Sequence, residues 1–365
     1  MARFTDVFED VTKSGKKIAT SDYREKGLHP IIDQGQAEIA GYTNESDGLF
    51  TDIPAIIFGD HTRVIKYVDT PCFLGADGVK LLRAKIPNPN YRYLYYALSY
   101  ADIPNTGYNR HFKWLKEVDI KLPDLKEQQQ VAESLSKVDE LIALRKEQLA
   151  ALDQLVKSRF VELFGAGKYP IVKAADVCDF ITKGTTPPTG EITEKYEIGM
   201  IPYLKVYNLS FSGELLFDSM PQYIPAETHN KQLVRSKVVP NDVLMNIVGP
   251  PLGKFSLVTD EFSEWNINQA IAIFRAKDRV LPRYLLAALM QPDVLRPFLE
   301  QAVGIRQLNL SLEQCRNLEF PLPPIEEQKA FVKFSEQTDK SKLAIQRSLD
   351  ELETLKKALM QKYFG

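Results

Sequence analysis

The heptapeptide LPDLKEQ (Leu122 to Gln128) returns as LPPIEEQ (Leu322 to Gln328), and from there both copies run without a gap to Phe164-Gly165 and Phe364-Gly365. A chain that repeats itself in order is built from repeated structural units, which constrains its fold before any local propensity is considered. Earlier segments repeat too. TDVFEDVTK (Thr5 to Lys13) matches ADVCDFITK (Ala175 to Lys183), and DIPAIIFG (Asp52 to Gly59) matches DVLMNIVG (Asp242 to Gly249). GVKLLRAK (Gly78 to Lys85) matches AIAIFRAK (Ala270 to Lys277), and YLYYAL (Tyr93 to Leu98) matches YLLAAL (Tyr284 to Leu289). The offset grows from 170 at Thr5/Ala175 to 190 at Asp52/Asp242 and 200 at Leu122/Leu322. The second copy therefore carries extra residues, expected between its first strand and its middle, in the Pro- and Gly-punctuated stretch Gly184 to Leu209.

The segments after the two heptapeptides read as helices. From Lys126, the positions Val131, Leu135, Val138, Ile142, Arg145, Leu149, Leu152, Val156, Arg159 and Leu163 recur at four-then-three spacing, the pattern of a coiled-coil seam. The second copy keeps Phe331, Ile345, Leu349, Leu352, Leu359 and Tyr363 but places Ser335, Thr338, Lys342 and Lys356 at the other seam positions, so it is expected to pack against the first. Pro123, Pro323 and Pro324 suit helix entry, and the terminal glycines suit helix exit. About 39 helical residues make a rod of roughly 58 Å. If the second helix runs back along the first, the result is a dumbbell. The expected divisions are 1–124 and 166–323 for two heads, 125–165 for the central helix and 324–365 for the C-terminal helix.

Within each head, short β-type runs such as PAIIFGD, VLMNIV and AIAIFRA lie among glycine and proline turns, with one helical stretch near YLYYAL or YLLAAL. The expected fold class is α+β: two similar globular domains separated by a long antiparallel two-helix coiled coil, a pseudo-two-fold internal repeat.

Catalytic signatures are absent. NPNY (Asn88 to Tyr91) resembles the base-holding loop of amino-methyltransferases, but no glycine-rich loop upstream would cradle S-adenosylmethionine, and it reads as a turn before a helix. GPPLGK (Gly249 to Lys254) is one residue short of a phosphate-binding loop and is followed by Phe255 in place of Ser or Thr. Cys72, Cys178 and Cys315 are far apart, as are the four histidines, so neither a disulfide framework nor a metal site is expected. No apolar run approaches membrane-spanning length, and MARFTDVFED lacks a signal-peptide core; a cytoplasmic protein is expected. A formal net charge of -2 argues against coating nucleic acid by bulk electrostatics while leaving room for local basic clefts.

What remains is recognition chemistry. In the first copy GYNRHFKW supplies Tyr108, Asn109, Arg110, His111 and Lys113; in the second, GIRQLNLS supplies Arg306, Gln307 and Asn309. Arginine and lysine neutralise phosphates or read guanine, and asparagine and glutamine pair with adenine edges. Further clusters are KGTTP (Lys183, Thr185, Thr186), KVYN (Lys205, Tyr207, Asn208), Lys254 and NINQ (Asn266, Asn268, Gln269).

These residues resemble the specificity (S) subunit of type I restriction-modification systems. Along the whole chain the order is a target-recognition domain, a helix entered through L-P-P-x-x-E-Q, a second such domain and a second helix; KGTTP, IPYLKVYNL, NINQAIAIF and LPPIEEQ look like typical second-domain elements. The first domain is looser, lacking GTTP and carrying GQAEIAGYT (Gly35 to Thr43), and Asp124 and Lys126 depart from the entry pattern. The resemblance implies that each head reads one half of a split double-stranded DNA target and that the helices set the gap. It implies no catalysis and no cofactor in this chain. Two modification subunits, carrying S-adenosylmethionine, would dock on it, and two restriction subunits using ATP and Mg would complete the complex. The seam residues named for helix packing are Val131, Leu135, Val138, Ile142, Leu149, Leu152, Val156, Ile345, Leu349, Leu352 and Leu359. A two-headed, non-catalytic protein-binding scaffold is the alternative from a different class, and a self-contained methyltransferase would need a methyl-donor site.

Overall fold

A computed structural model describes residues 1–165, 167–188, 190–301 and 308–365. They form two compact units: Met1–Lys146 with Arg347–Gly365, and Glu147–Gln346. Each unit takes one head together with part of each long helix.

In the first unit a four-stranded antiparallel sheet runs in the order Phe8–Asp10, Val79–Ala84, Ala55–Gly59, Ile65–Val68. Ile56, Ile57 and Phe58 are fully buried because this sheet is covered on both faces. Ile56 and Phe58 pack with Tyr93, Leu94, Val131 and Leu135 on the helical side, while Ala55 and Ile57 pack with Leu74 of a second sheet and with Cys72 just before its strand. That explains a continuous apolar run where a half-exposed strand would alternate. The second sheet has the order Lys17–Ile18, Phe73–Gly75, His29–Ile32, Gly41–Thr43, and both pairings of Phe73–Gly75 are parallel.

The second unit repeats this plan. Its four-stranded sheet is Cys178–Lys183, Ile271–Ala276, Val243–Asn246, Phe255–Leu257. Val243 and Met245 face Tyr284, Phe160 and Phe331, and Leu244 faces Leu204, Trp265 and Ile267. Small fasteners repeat as well. The Lys85 amide donates to the Val7 carbonyl and the Lys277 amide to that of Val177; Arg83 pairs with Asp52 as Arg275 pairs with Asp242.

One expectation needs correction. The stretch from the first strand to Ile201–Leu204 is not extended relative to that from the first strand to His29–Ile32: it has 17 residues, 184–200, against 18, 11–28, which include the strand Lys17–Ile18. The extra residues come later, where 38 residues (205–242) replace 22 (33–54) before the buried central strand. They supply the helix Ala226–Lys231 and the strand Lys237–Val238, which takes the edge that Lys17–Ile18 occupies in the first unit.

The long helices span Leu125–Phe164 and Ile325–Phe364, 40 residues each and offset by 200 at both ends. Within each unit they pair antiparallel. Asp139 meets Lys356 and Lys146 meets Glu353 in the first; Asp153 meets Lys342, and Phe160 packs on Phe331, in the second. Of the seam residues, Val131, Leu135, Val138 and Leu349 are buried, and Ile142, Leu149, Leu152, Val156, Ile345, Leu352 and Leu359 are half-buried. The polar seam residues are matched: Lys342 reaches both Asp153 and Glu214 at 2.8 Å, and Arg283 bridges Ser335 and Asp339.

The entry motif has a physical reason. Gln128 and Gln328 are buried, and each side-chain amide donates to the proline carbonyl five residues earlier, Pro123 or Pro323, at 2.9 Å. Asp124, where the second copy has Pro324, accepts a hydrogen bond from the Glu127 amide at 2.9 Å and so caps the first helix. The glutamines differ in one respect: Gln328 also accepts from the Leu281 amide and donates to the Arg279 carbonyl, whereas the Gln128 side-chain oxygen has no partner. A buried polar group left unpaired costs about 1–3 kcal/mol. Gln328→Ala is therefore expected to destabilise its unit by at least about 1 kcal/mol more than Gln128→Ala, as urea unfolding would measure; equal losses would refute this.

Candidate nucleic-acid interface

In the second head the candidate residues gather at one end of the four-stranded sheet. Lys183 ends its strand opposite Ala272, and the Gly184 amide donates to the Ile271 carbonyl at 3.0 Å. A Cβ at Gly184 would press into the carbonyl oxygens of Ile267 and Asn268, so the chain crosses there only as glycine. The Thr186 hydroxyl donates to the Gln269 side chain at 2.6 Å, and the buried Tyr203 donates to the Thr185 carbonyl at 3.3 Å. The parallel strands Ile201–Leu204 and Trp265–Ile267 end here, joined by the Asn268 amide on the Leu204 carbonyl at 3.0 Å. They deliver Lys205 and Tyr207 beside Asn268 and Gln269. Asn309 is added through its pairing with Val248, and Lys254 through the Asn246 side chain, which accepts its amide at 2.8 Å.

Lys183, Thr185, Thr186, Gln269 and Asn309 are exposed, and Lys205, Tyr207, Lys254 and Asn268 are half-buried. Two candidates leave the surface. Asn208 is fully buried, accepting the Lys205 amide and donating to the Leu216 and Met220 carbonyls. Asn266 is fully buried, donating to His229 Nδ1 at 3.0 Å and to the Leu233 carbonyl. Their hydrogen-bonding capacity is used in shaping the loops, so neither is free to read a base. With Nδ1 accepting, His229 donates from Nε2 to Glu264; burial and the Lys237 ammonium push its pKa down, against the pull of Glu264. Arg306 and Gln307 lie outside the described residues.

In the first head Tyr108, Asn109, Arg110 and Lys113 are exposed, Tyr108 to 88%. His111 is the third candidate to leave the surface: it is fully buried, and its Nδ1 donates to the Asp60 carbonyl at 3.0 Å. Asp60 in turn accepts the Phe112 amide at 2.7 Å. This clamp fixes the loop 105–110 to the end of the sheet. Two residues that sequence reasoning passed over join it there. His61 stacks on Tyr108, ring centroids 4.7 Å apart and planes 8° from parallel, and Gln34 accepts the His61 amide at 3.2 Å and the Thr62 hydroxyl at 2.6 Å. The available signal was the parallel between HPII (His29 to Ile32) and IPYL (Ile201 to Leu204), each a short strand emptying into polar loop.

Nothing in this arrangement is a reactive centre. Burial pushes the thiols up, to about 11 for Cys72 and about 12 for Cys178 and Cys315, so they stay protonated. Among the described residues no group of His, Cys, Asp and Glu could hold a metal ion, and no helix is long and apolar enough to cross a membrane.

Two copies of one recognition fold, each followed by an identical length of helix, match the family model described as type I restriction modification DNA specificity domain, over residues 1–154 and again over 167–354. The chain belongs to this family. It is 23% identical to the Type I restriction enzyme EcoR124I/EcoR124II specificity subunit of Escherichia coli, over 88% of this chain and 82% of that one. It is 24% identical to the Type I restriction enzyme MjaVIII specificity subunit of Methanocaldococcus jannaschii, over 68% of this chain and 61% of that one. Its fold is similar to the S subunit of a type I restriction-modification system from M. genitalium, with a TM-score of 0.58 at 16% identity, covering 100% of this chain and 95% of that one. As a type I specificity chain it recognises DNA sequence and is a non-catalytic component of its system.

Proposed function

We propose that this chain is the specificity subunit of a type I restriction-modification complex in which each head reads one half of a bipartite duplex DNA target. The observation that carries this is the pair of heads of one fold whose reading ends carry different side chains: Lys183, Thr186, Lys205 and Gln269 in one, and Tyr108, Asn109, Arg110 and His61 in the other. Equal scaffolds with unequal edges suit an asymmetric target. Linking two readers gives the second a high effective concentration once the first has bound.

The long helices set the gap and dock two modification subunits, which bring S-adenosylmethionine and methylate adenine. A stripe of exposed apolar residues on the central helix, Leu141 (44%), Leu144 (52%), Ala151 and Leu155 (48%), lies apart from the seam and supports such docking. Two restriction subunits, using ATP and Mg, would complete the complex, and the whole would act on DNA in the cytoplasm. The test is to express the chain with its modification partner in a host without adenine methylation and to map methylated adenines. Two short half-sequences at a fixed separation are expected; a continuous motif, or methylation indifferent to removal of this chain, would sink the proposal.

A further inference from the structure

The His61–Tyr108 pair is built more firmly than a solvated loop requires. The turn carrying His61 rests on Gln34, which accepts both the His61 amide and the Thr62 hydroxyl. The loop carrying Tyr108 rests on the fully buried His111, whose Nε2 faces the Thr106 amide at 3.4 Å and whose Nδ1 is held by Asp60. Gly107, at φ +77° with open space about its Cβ position, lets the chain turn back between them. An aromatic ring exposed to 88% is thus held against an imidazole by two separate supports. Ordered, exposed aromatic surface of this kind is what a binding site presents.

The imidazole's proton assignment follows from its partner. His61 Nδ1 lies 3.2 Å from the Asn109 carbonyl, which only accepts, so Nδ1 carries hydrogen. Nε2 takes no other partner among the described residues and, in the neutral ring, is an acceptor. In the major groove an acceptor selects the amino group of adenine or cytosine over the oxygen of guanine or thymine on the contacted strand.

We propose that His61 is a base-reading residue of the first head, its Nε2 accepting from the amino group of an adenine or cytosine, with Tyr108 holding the ring in place. This rests on the heads being DNA readers, as proposed above. The ligand is one base edge, and the position read lies in a single half-sequence.

The test maps adenine methylation by the complete complex carrying His61→Ala or Tyr108→Ala. One position of one half-sequence is expected to turn degenerate, losing roughly two- to 13-fold discrimination, the worth of one hydrogen bond, with the other half and the gap unchanged. An unchanged motif in His61→Ala overturns the assignment. If His61→Ala abolishes methylation, Tyr108→Ala decides, because a side chain this exposed is removed without harm to the core: relaxation at one position supports the proposal, and an unchanged motif or total loss overturns it. Should the unaltered chain direct no two-part motif, the reading of the heads fails first, and this assignment with it.

Discussion

Replacing Phe164 with alanine is expected to destabilise the unit Glu147–Gln346 by about 3–5 kcal/mol, the usual cost of deleting a buried phenylalanine ring. Phe164 is 2% exposed and stands among four aromatic neighbours: Phe160 at 5.1 Å, Tyr284 at 5.2 Å, Phe331 at 5.6 Å and Tyr169 at 5.9 Å between ring centroids. All four of those contacts are edge-to-face, an arrangement that adds to simple burial. For a unit of this size the loss lowers the midpoint of thermal unfolding by roughly 6–20 °C. Phe364, its repeat partner, is half-buried and packs on Tyr93 at 5.3 Å and Tyr100 at 6.1 Å. Phe364→Ala should cost clearly less. Calorimetry of both variants checks the order, and a Phe164→Ala loss below about 1 kcal/mol would show that the cluster relaxes around the gap.

On the proposed function, inserting four residues, about one turn, in both long helices, after Lys146 and after Gln346, should widen the gap in the methylated motif by about two base pairs. Four residues add about 6 Å of helix, and base pairs are spaced about 3.4 Å apart. Both half-sequences should stay as they are, because the insertions lie far in sequence from every reading residue. The same insertion in the central helix alone should fail. It breaks the antiparallel register in which Asp139 meets Lys356 and Asp153 meets Lys342, leaving the half-buried Lys356 or the buried Lys342 without its carboxylate. Loss of methylation is the expected readout there. Altered half-sequences with an unchanged gap in the double insertion would contradict the helices' measuring role.

The fold was legible wherever the sequence repeats a physical requirement. The 200-residue register predicted helices that begin and end alike, and Leu125–Phe164 and Ile325–Phe364 do so because a buried glutamine fixes each start and a phenylalanine docks each end. Strand runs such as AIIFG and VLMN were readable because burial on both faces demands unbroken apolarity. The insertion point was misplaced because Lys237–Val238 takes a sheet edge that an earlier strand holds in the first copy, and pairing across so many residues leaves no local trace. At the interface, residue type alone could not separate asparagines that face solvent, such as Asn109, from asparagines that knit loops, such as Asn208 and Asn266. His61 escaped notice for the converse reason: nothing near it in sequence announces that Tyr108 will lie on its ring.

The division of the chain also bears on how it is made. The second unit is one continuous stretch, Glu147–Gln346, whereas the first needs Arg347–Gly365 to complete it. Phe364 covers Tyr93, the Tyr363 carbonyl takes the Lys121 ammonium at 3.1 Å, and Gln361 accepts the Tyr100 hydroxyl at 2.5 Å. During synthesis, therefore, the head that emerges first is finished last. A ribosome that stalls after Gln346 releases a product whose second unit is complete and whose first lacks Arg347–Gly365. On the proposed function, such a product lacks the finished reader of one half-sequence.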